Sequence, residues 1–526
     1  MAYRYRVGVR VSRSSSTAHV RRDGLRSRAG QASRTGESPV STSLAHPGRG
    51  LRQRLSSILL VPLPTRVESG IRSASRVWPV RPLADPPPAS GLRPVRGDAG
   101  LPLLGHTLDY IRFGSGFTRD RYQRFGPVSW MGAFGTRMVV IAGPDATQQA
   151  MTAEAKAFSQ DGWTYLIDAF FHRGLMLMSF DEHRMHRRIM QEAFTRPRLT
   201  SYTQKVSPTV RATVADWPTG TPTRLYPLLK ALTLDIATSV FMGGRGGRED
   251  TGAINNAFVA TVRAASAIIR APIPGTRYRA GITGRRLLED YFTRHLPEAR
   301  ASQGDDLFAG LCNARTEDGE QFSDDDIVSH MIFLMMAAHD TSTITAAAAM
   351  YYLAKHPDWQ HRARAESDAL GERTSDIDDL ESLTTLDLVI KETLRLVAPV
   401  PIVMRKTVRD VAVAGHHIPA DTLVAIAPAV NHFDTDVWST PDEFDPARFD
   451  EQRAEDKGHR FAWIPFGGGA HKCIGLHFGT LEVKAILHEL LRSHTWTAPA
   501  DYTVRWDNTS LPVPVDGLPL TLTRRR

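Results

Sequence analysis

Phe466-Gly467-Gly468-Gly469-Ala470-His471-Lys472-Cys473-Ile474-Gly475 is the stretch that decides how the rest of the chain reads. It sets one cysteine behind a glycine-rich turn and just ahead of a helix-forming run, Leu476 to Leu491. The chain has two cysteines, Cys312 and Cys473, which argues against a disulfide framework and against a four-thiolate zinc site. What is left for Cys473 is a single reactive or metal-bound thiolate; a buried structural cysteine beside a glycine turn is the plain alternative. A helix N-terminus and the neighbouring Lys472 both favour the charged sulfur. Gly467, Gly468 and Gly469 let the backbone turn tightly and let a flat ligand approach, and Gly475 leaves space past the sulfur.

The 526 residues exceed the usual size of one domain, and a hydrophobic fraction of 42% supplies a large core. The net charge of +9 is unevenly placed. Residues 1–90 hold sixteen arginines, no lysine and four acids, a net +12, which leaves −3 for residues 91–526. The main body is therefore nearly neutral, and nucleic-acid binding by it is not supported. Residues 1–92 show no apolar periodicity and read as a disordered Arg/Ser-rich extension, with one folded domain over 93–526. Their composition also resembles a transit peptide, and an early start codon or a basic membrane-surface arm fits it too; disorder or an early start is the preferred reading. The apolar run Ile58 to Leu63 is far short of the ~20 residues that span a bilayer, so no transmembrane anchor is expected. Few cysteines and no secretory signal predict a cytoplasmic protein.

Order is expected from about Gly100, with a helix through Tyr122 and strands at Val128–Met131 and Met138–Ile141. Trp163 to Met178 is apolar without strong helix signals, and its aromatics and methionines suit either a core or a large apolar ligand. Asp181 to Arg188 enters a helix with three arginines and two histidines, a density of cations that needs an anion nearby. His183 and Arg187 are four apart and share a face. Helical patterns follow at about 194–215, 225–242, 250–270 and 283–302. Ser323 then reads as an N-cap to a helix that nothing breaks before His356-Pro357, roughly 50 Å long. At its centre stands Ala337-Ala338-His339-Asp340-Thr341. A carboxylate in this small and apolar run needs a partner or a job, and Thr341 can bond back to the Ala337 carbonyl. Glu392 and Arg395 share one face of an amphipathic helix, and Val400 to Arg405 reads as an extended strand.

The spacing Phe466, Gly469, Cys473, Gly475 resembles the haem-ligand loop of the cytochrome P-450 superfamily, and the ordered matches over about residues 100–526 identify the chain as a member of the soluble bacterial kind. The resemblance implies a mainly α fold, a triangular helical prism with a small β-rich region and a long central helix. It implies haem b held by the Cys473 thiolate. Phe466, Gly467, Gly475, Ala337 and Ala338 then lie against the ring, and His183, Arg187, Arg405 and His471 hold its propionates. Asp340 and Thr341 match the family's proton-relaying pair, and Ala338 stands where relatives often have glycine. Glu392, Arg395 and Arg448 match a structural triad. Phe170, Met176, Val400, Ile402, Val403 and Val513 fall where relatives contact substrate, although strand alternation prevents all of the neighbouring positions from doing so. The implied activity is monooxygenation with O2 of a small hydrophobic substrate by a monomer. Electrons come from a ferredoxin or flavodoxin with its NAD(P)H reductase, since no reductase domain follows Cys473. A peroxide-driven enzyme and a haem-binding sensor are the alternatives, and terpenoids, sterols or fatty acids are the substrate classes to try.

Overall fold

The computed structural model describes Gly70 and residues 77–526, apart from 246, 266, 268–269, 303, 317, 373–375 and 526. Most of the expected disordered extension lies outside the described residues. Its last part does not behave as expected: Arg81–Pro82 forms a strand against Arg96–Asp98, and Leu83 donates its N–H to the Val95 carbonyl. A Pro-rich sequence of this kind satisfies few ladder bonds and carries no periodicity, which hides a short edge strand from pattern reading.

The helices that frame the site are α1 (Asp161–Ile167), α2 (Phe180–Gln191), α3 (Arg196–Ala215), α4 (Leu225–Met242), α5 (Gly247–Ala265), α6 (Arg277–Ala301), α7 (Asp324–Lys355), α8 (Thr384–Leu396) and α9 (Leu476–Ser493). A seven-stranded sheet lies beside them, made of β1 (Arg81–Pro82), β2 (Arg96–Asp98), β3 (Val128–Ala133), β4 (Thr136–Ile141), β5 (Phe158–Ser159), β6 (Val403–Thr407) and β7 (Leu423–Ile426). Its order is β1-β2-β3-β4-β7-β6-β5. The fold is thus mainly α with a smaller β-rich region.

Helix α7 runs the full length expected of it. The Ser323 hydroxyl accepts from the Asp326 N–H, three aspartates fill the first turn, and Lys355 lies in the last turn before Pro357. Its inner turns are buried against α4, where the Thr233 and Thr343 hydroxyls meet at 2.6 Å. Helix α4 is the one described helix long and apolar enough to cross a bilayer, and it is 67% buried in this core.

Two expectations shift. Asp161–Ile167 is a short helix where no helix is expected. The strand expected from Val400 begins at Val403, because Pro399 and Pro401 remove two donors from a ladder.

Behind α8, Glu392, Arg395 and Arg448 form a fully buried network. Arg395 donates through Nε at 2.7 Å and Nη2 at 2.8 Å to the two Glu392 oxygens, and Arg448 Nε reaches Glu392 Oε1 at 3.1 Å. The remaining guanidinium donors go to backbone carbonyls of His432, Pro441, Glu443 and Ser439 and to Glu455. This satisfies charges that are otherwise costly to bury.

Candidate active site

A cavity of about 400 Å³ opens between α7 and the loop that precedes α9. Phe466, Gly467, His471, Cys473 and Gly475 form one wall, and Ala337, Ala338, Asp340 and Thr341 form another. The loop is held by its own backbone: the Cys473 N–H donates to the Phe466 carbonyl at 2.9 Å, and the Gly467 N–H to that of Ile464 at 3.0 Å. Gly469 is required by space and by angle. Its φ is +65°, and a Cβ there would stand 2.1 Å from the Met151 carbonyl oxygen.

Cys473 is exposed, but the surface it exposes is the cavity's. Burial pushes its thiol up; the Gly475 backbone, Arg187, Lys472 and the Leu476 backbone pull the other way and do not win. The helix N-terminus and Lys472 therefore act in the expected direction without yielding a thiolate alone. A cation facing the sulfur tips that balance.

Four cationic or potentially cationic side chains meet at the cavity: His183, Arg187, Arg405 and His471. The rings of His183 and His471 lie 3.7 Å apart. Burial, with the repulsion of His183, Arg405 and Arg187, pushes His471 down to about 2. Burial, with Arg187 and Arg405, pushes His183 down to about 4. Burial alone lowers Arg405 to about 10, and its Nη1 donates to the Met404 carbonyl. Among the described residues no carboxylate pairs with Arg187 or Arg405. Positive charge is concentrated here without a paired carboxylate among the described residues.

On α7, the Thr341 hydroxyl donates back to the Ala337 carbonyl at 2.8 Å and approaches that of Ala338 at 3.2 Å. Asp340 is buried and accepts from Lys230 Nζ of α4 at 2.7 Å. The Lys230 side chain is a quarter exposed, so the pair connects the cavity wall to solvent. Sequence reasoning missed Lys230, although one lysine within the apolar run Leu225 to Met242 is a signal of its own.

Of the residues expected at substrate, Met176, Val400 and Val403 line the cavity and Phe170, Ile402 and Val513 do not. Phe170 is fully buried edge-on against Tyr278 of α6, 5.1 Å away, and its carbonyl accepts from Arg285; Phe171 takes the cavity position. Alternation along β6 sends Val403 and Arg405 to the cavity, while Ile402 and Met404 pack in the β-rich core. Val513 pairs with Asp507 in a two-stranded ribbon and packs on the helical core, and the ribbon's turn brings Ser510 and Leu511 to the cavity.

A second acid was missed. Glu482 of α9 is buried, and the Ser342 hydroxyl of α7, itself at the cavity, donates to it at 2.5 Å. Burial pushes this carboxyl from 4.5 up to about 8. The native state thus binds a proton that the unfolded chain releases, and stability falls as pH rises from 4.5 to about 8. Glu482→Gln is expected to remove most of that loss, on the order of a few kcal/mol. Thermal unfolding of both proteins at pH 5 and pH 8 reads this as a smaller drop in Tm for the variant.

The sequence profile of the cytochrome P-450 family matches residues 95–515. A Mycobacterium tuberculosis protein named cytochrome P-450 136 is 49% identical over 453 residues, covering 85% of this chain and 92% of its own. A taxane 10-beta-hydroxylase of Taxus cuspidata is 25% identical over 448 residues, covering 81% and 89%. Among solved structures, that of retinoic acid bound cyanobacterial CYP120A1 is 28% identical, covers 82% of this chain and 99% of its own, and superposes with a TM-score of 0.74. The loop that carries Cys473, the long helix that faces it and these likenesses agree: the chain belongs to the cytochrome P-450 family of haem-thiolate monooxygenases.

Proposed function

We propose that this chain hydroxylates a compact, mostly apolar molecule of terpenoid or retinoid type, with haem b bound through Cys473 and electrons delivered by a separate ferredoxin or flavodoxin system. The observation that carries the reading is that Cys473 and Asp340-Thr341, from separate elements, line one cavity.

The residues present fit the haem. One sulfur faces the cavity from a loop flattened by glycine, which suits a macrocycle. The unpaired positive charge of Arg187 and Arg405, beside His183 and His471, suits two propionates and is relieved by them. Small side chains, Ala337 and Ala338, form the facing wall.

When bound, the haem supplies the activation of O2 and the insertion of one oxygen atom into the substrate. The chain's own part is to place substrate and protons. Trp163, Phe171, Met176, Val400, Val403 and Leu511 give an apolar wall that orients the molecule and excludes water. Protons enter along the quarter-exposed Lys230 and the Asp340 carboxylate, and the Thr341 hydroxyl passes them into the cavity. The relatives named for retinoic acid and for a taxane support the substrate class.

Thr341→Ala tests the reading. With a ferredoxin, its reductase and reduced nicotinamide, product per nicotinamide consumed is expected to fall roughly a hundredfold while oxygen is still consumed and peroxide appears. Undiminished product from the variant, or a native protein that makes product only with peroxide and none with electrons supplied, contradicts the proton path.

A further inference from the structure

Asp340 is met on one oxygen by two different neighbours. Lys230 Nζ of α4 lies 2.7 Å from Asp340 Oδ1, and His339 Nε2, from the preceding residue of α7, lies 3.3 Å from the same atom. Lys230 brings a cation. What His339 brings is fixed by its other nitrogen. Nδ1 stands 3.0 Å from the Met335 carbonyl, which can only accept, so Nδ1 carries the ring's hydrogen. The ring is buried, and its remaining face packs edge-on against Phe258 of α5, with centroids 4.8 Å apart. Burial holds its titration below the ordinary histidine value, and Lys230 adds to this against the pull of Asp340. The neutral ring therefore turns the bare lone pair of Nε2 toward the Asp340 carboxyl, and Nε2 makes no hydrogen bond as it stands.

A buried acceptor without a donor is a cost that folds avoid, and an ionised carboxylate has no hydrogen to give it. A carboxyl that holds a proton does. The two neighbours of Oδ1 thus suit two states of one side chain, Lys230 the anion and His339 the acid. We propose that His339 is a positioning residue for proton delivery: its Nε2 accepts from the protonated Asp340 carboxyl and holds that proton beside Thr341 until it is passed on. The inference rests on the proton path through Lys230, Asp340 and Thr341 proposed above. A proton added at Asp340 cancels the charge that binds Lys230, and the acid turns to Nε2. The Thr341 hydroxyl then gives its own hydrogen to the cavity and takes the one from Asp340, which returns to Lys230 as a carboxylate. His339 keeps its single hydrogen on Nδ1 throughout.

The test needs no substrate. The haem-loaded chain is supplied with a ferredoxin, its reductase and reduced nicotinamide, and the oxygen consumed is divided between water and peroxide. Water forms only where protons arrive in time for the O–O bond to break. His339→Leu removes the acceptor and is expected to raise the ratio of peroxide to water about tenfold, with a larger further rise in heavy water than the native chain shows. A purely structural role would slow turnover without moving that ratio. His339→Gln loses the same ring packing on Phe258 but offers an amide oxygen as acceptor, and it is expected to restore most of the native ratio. His339→Phe keeps a ring against Phe258 and is expected to match His339→Leu, so the test stands even where the leucine chain folds poorly. Asp340→Asn separates the inference from the path beneath it. If Asp340→Asn raises the ratio while His339→Leu and His339→Phe do not, or if His339→Gln raises it as much as they do, the part given to His339 is overturned and the path stands. If Asp340→Asn leaves the ratio unchanged, the path falls and this inference with it.

Discussion

Glu392→Gln is expected to leave little folded protein. The change keeps the shape of the side chain and removes the one carboxylate that both Arg395 and Arg448 face. All three residues are fully buried, so neither guanidinium gains water in exchange. Removing one partner of a buried ion pair costs about 3–5 kcal/mol, against a total stability of about 5–15 kcal/mol for a typical domain. The Asp445 N–H, which donates to Glu392 Oε1 at 2.9 Å, is weakened as well. Arg395→Lys is expected to be nearly as damaging, because a lysine cannot supply the fork to Glu392 together with bonds to His432, Pro441 and Glu443. Soluble yield and thermal unfolding measure this. The control is Arg184→Ala, at a largely exposed pair with Asp181, which is expected to change neither. A Glu392→Gln protein as stable as the native one contradicts the account of this network.

The network matters to function through place. It ties α8 to the segment around Arg448, and the chain runs on from there through Trp463 and Phe466 to Cys473. Trp463 donates its ring N–H to the Lys391 carbonyl of α8, which links the start of the cysteine loop to the same helix. A loosened triad is therefore expected to loosen the loop that presents the sulfur.

Much of this was legible because short patterns with fixed spacing carried it. Cys473 with its glycines, the acid and alcohol at the centre of α7, and Glu392 with Arg395 each place chemistry within one turn or one loop. What escaped were contacts made between elements far apart in the chain. Lys230 meets Asp340 across 110 positions, and Ser342 meets Glu482 across 140. Each half looked ordinary until packing joined them. The wall facing substrate was the least legible part. Whether Phe170 or Phe171 faces inward depends on where α1 ends and on the packing of Tyr278, and neither has a local signal. Along β6 the period of two separated Val403 from Met404, but only the fold decided which face was the cavity. The strand at Arg81 was hidden by proline.

Loss of the Cys473 sulfur is expected to have the largest effect on activity. Cys312 cannot replace it: it is buried in the helical core, and burial pushes its thiol up to about 11. Cys473→Ala keeps the loop's backbone bonds and the cationic side chains at the cavity, so the protein is expected to fold and to retain weak affinity for haem. Hydroxylation is expected to fall below detection, because thiolate ligation is what favours O–O cleavage. The most direct measurement is the absorption spectrum of the reduced protein under carbon monoxide, for native and Cys473→Ala chains loaded with haem. The account predicts the long-wavelength Soret band of a thiolate-ligated haem in the native protein and its absence in the variant; a variant that keeps that band, or a native protein that lacks it, contradicts the assignment of Cys473.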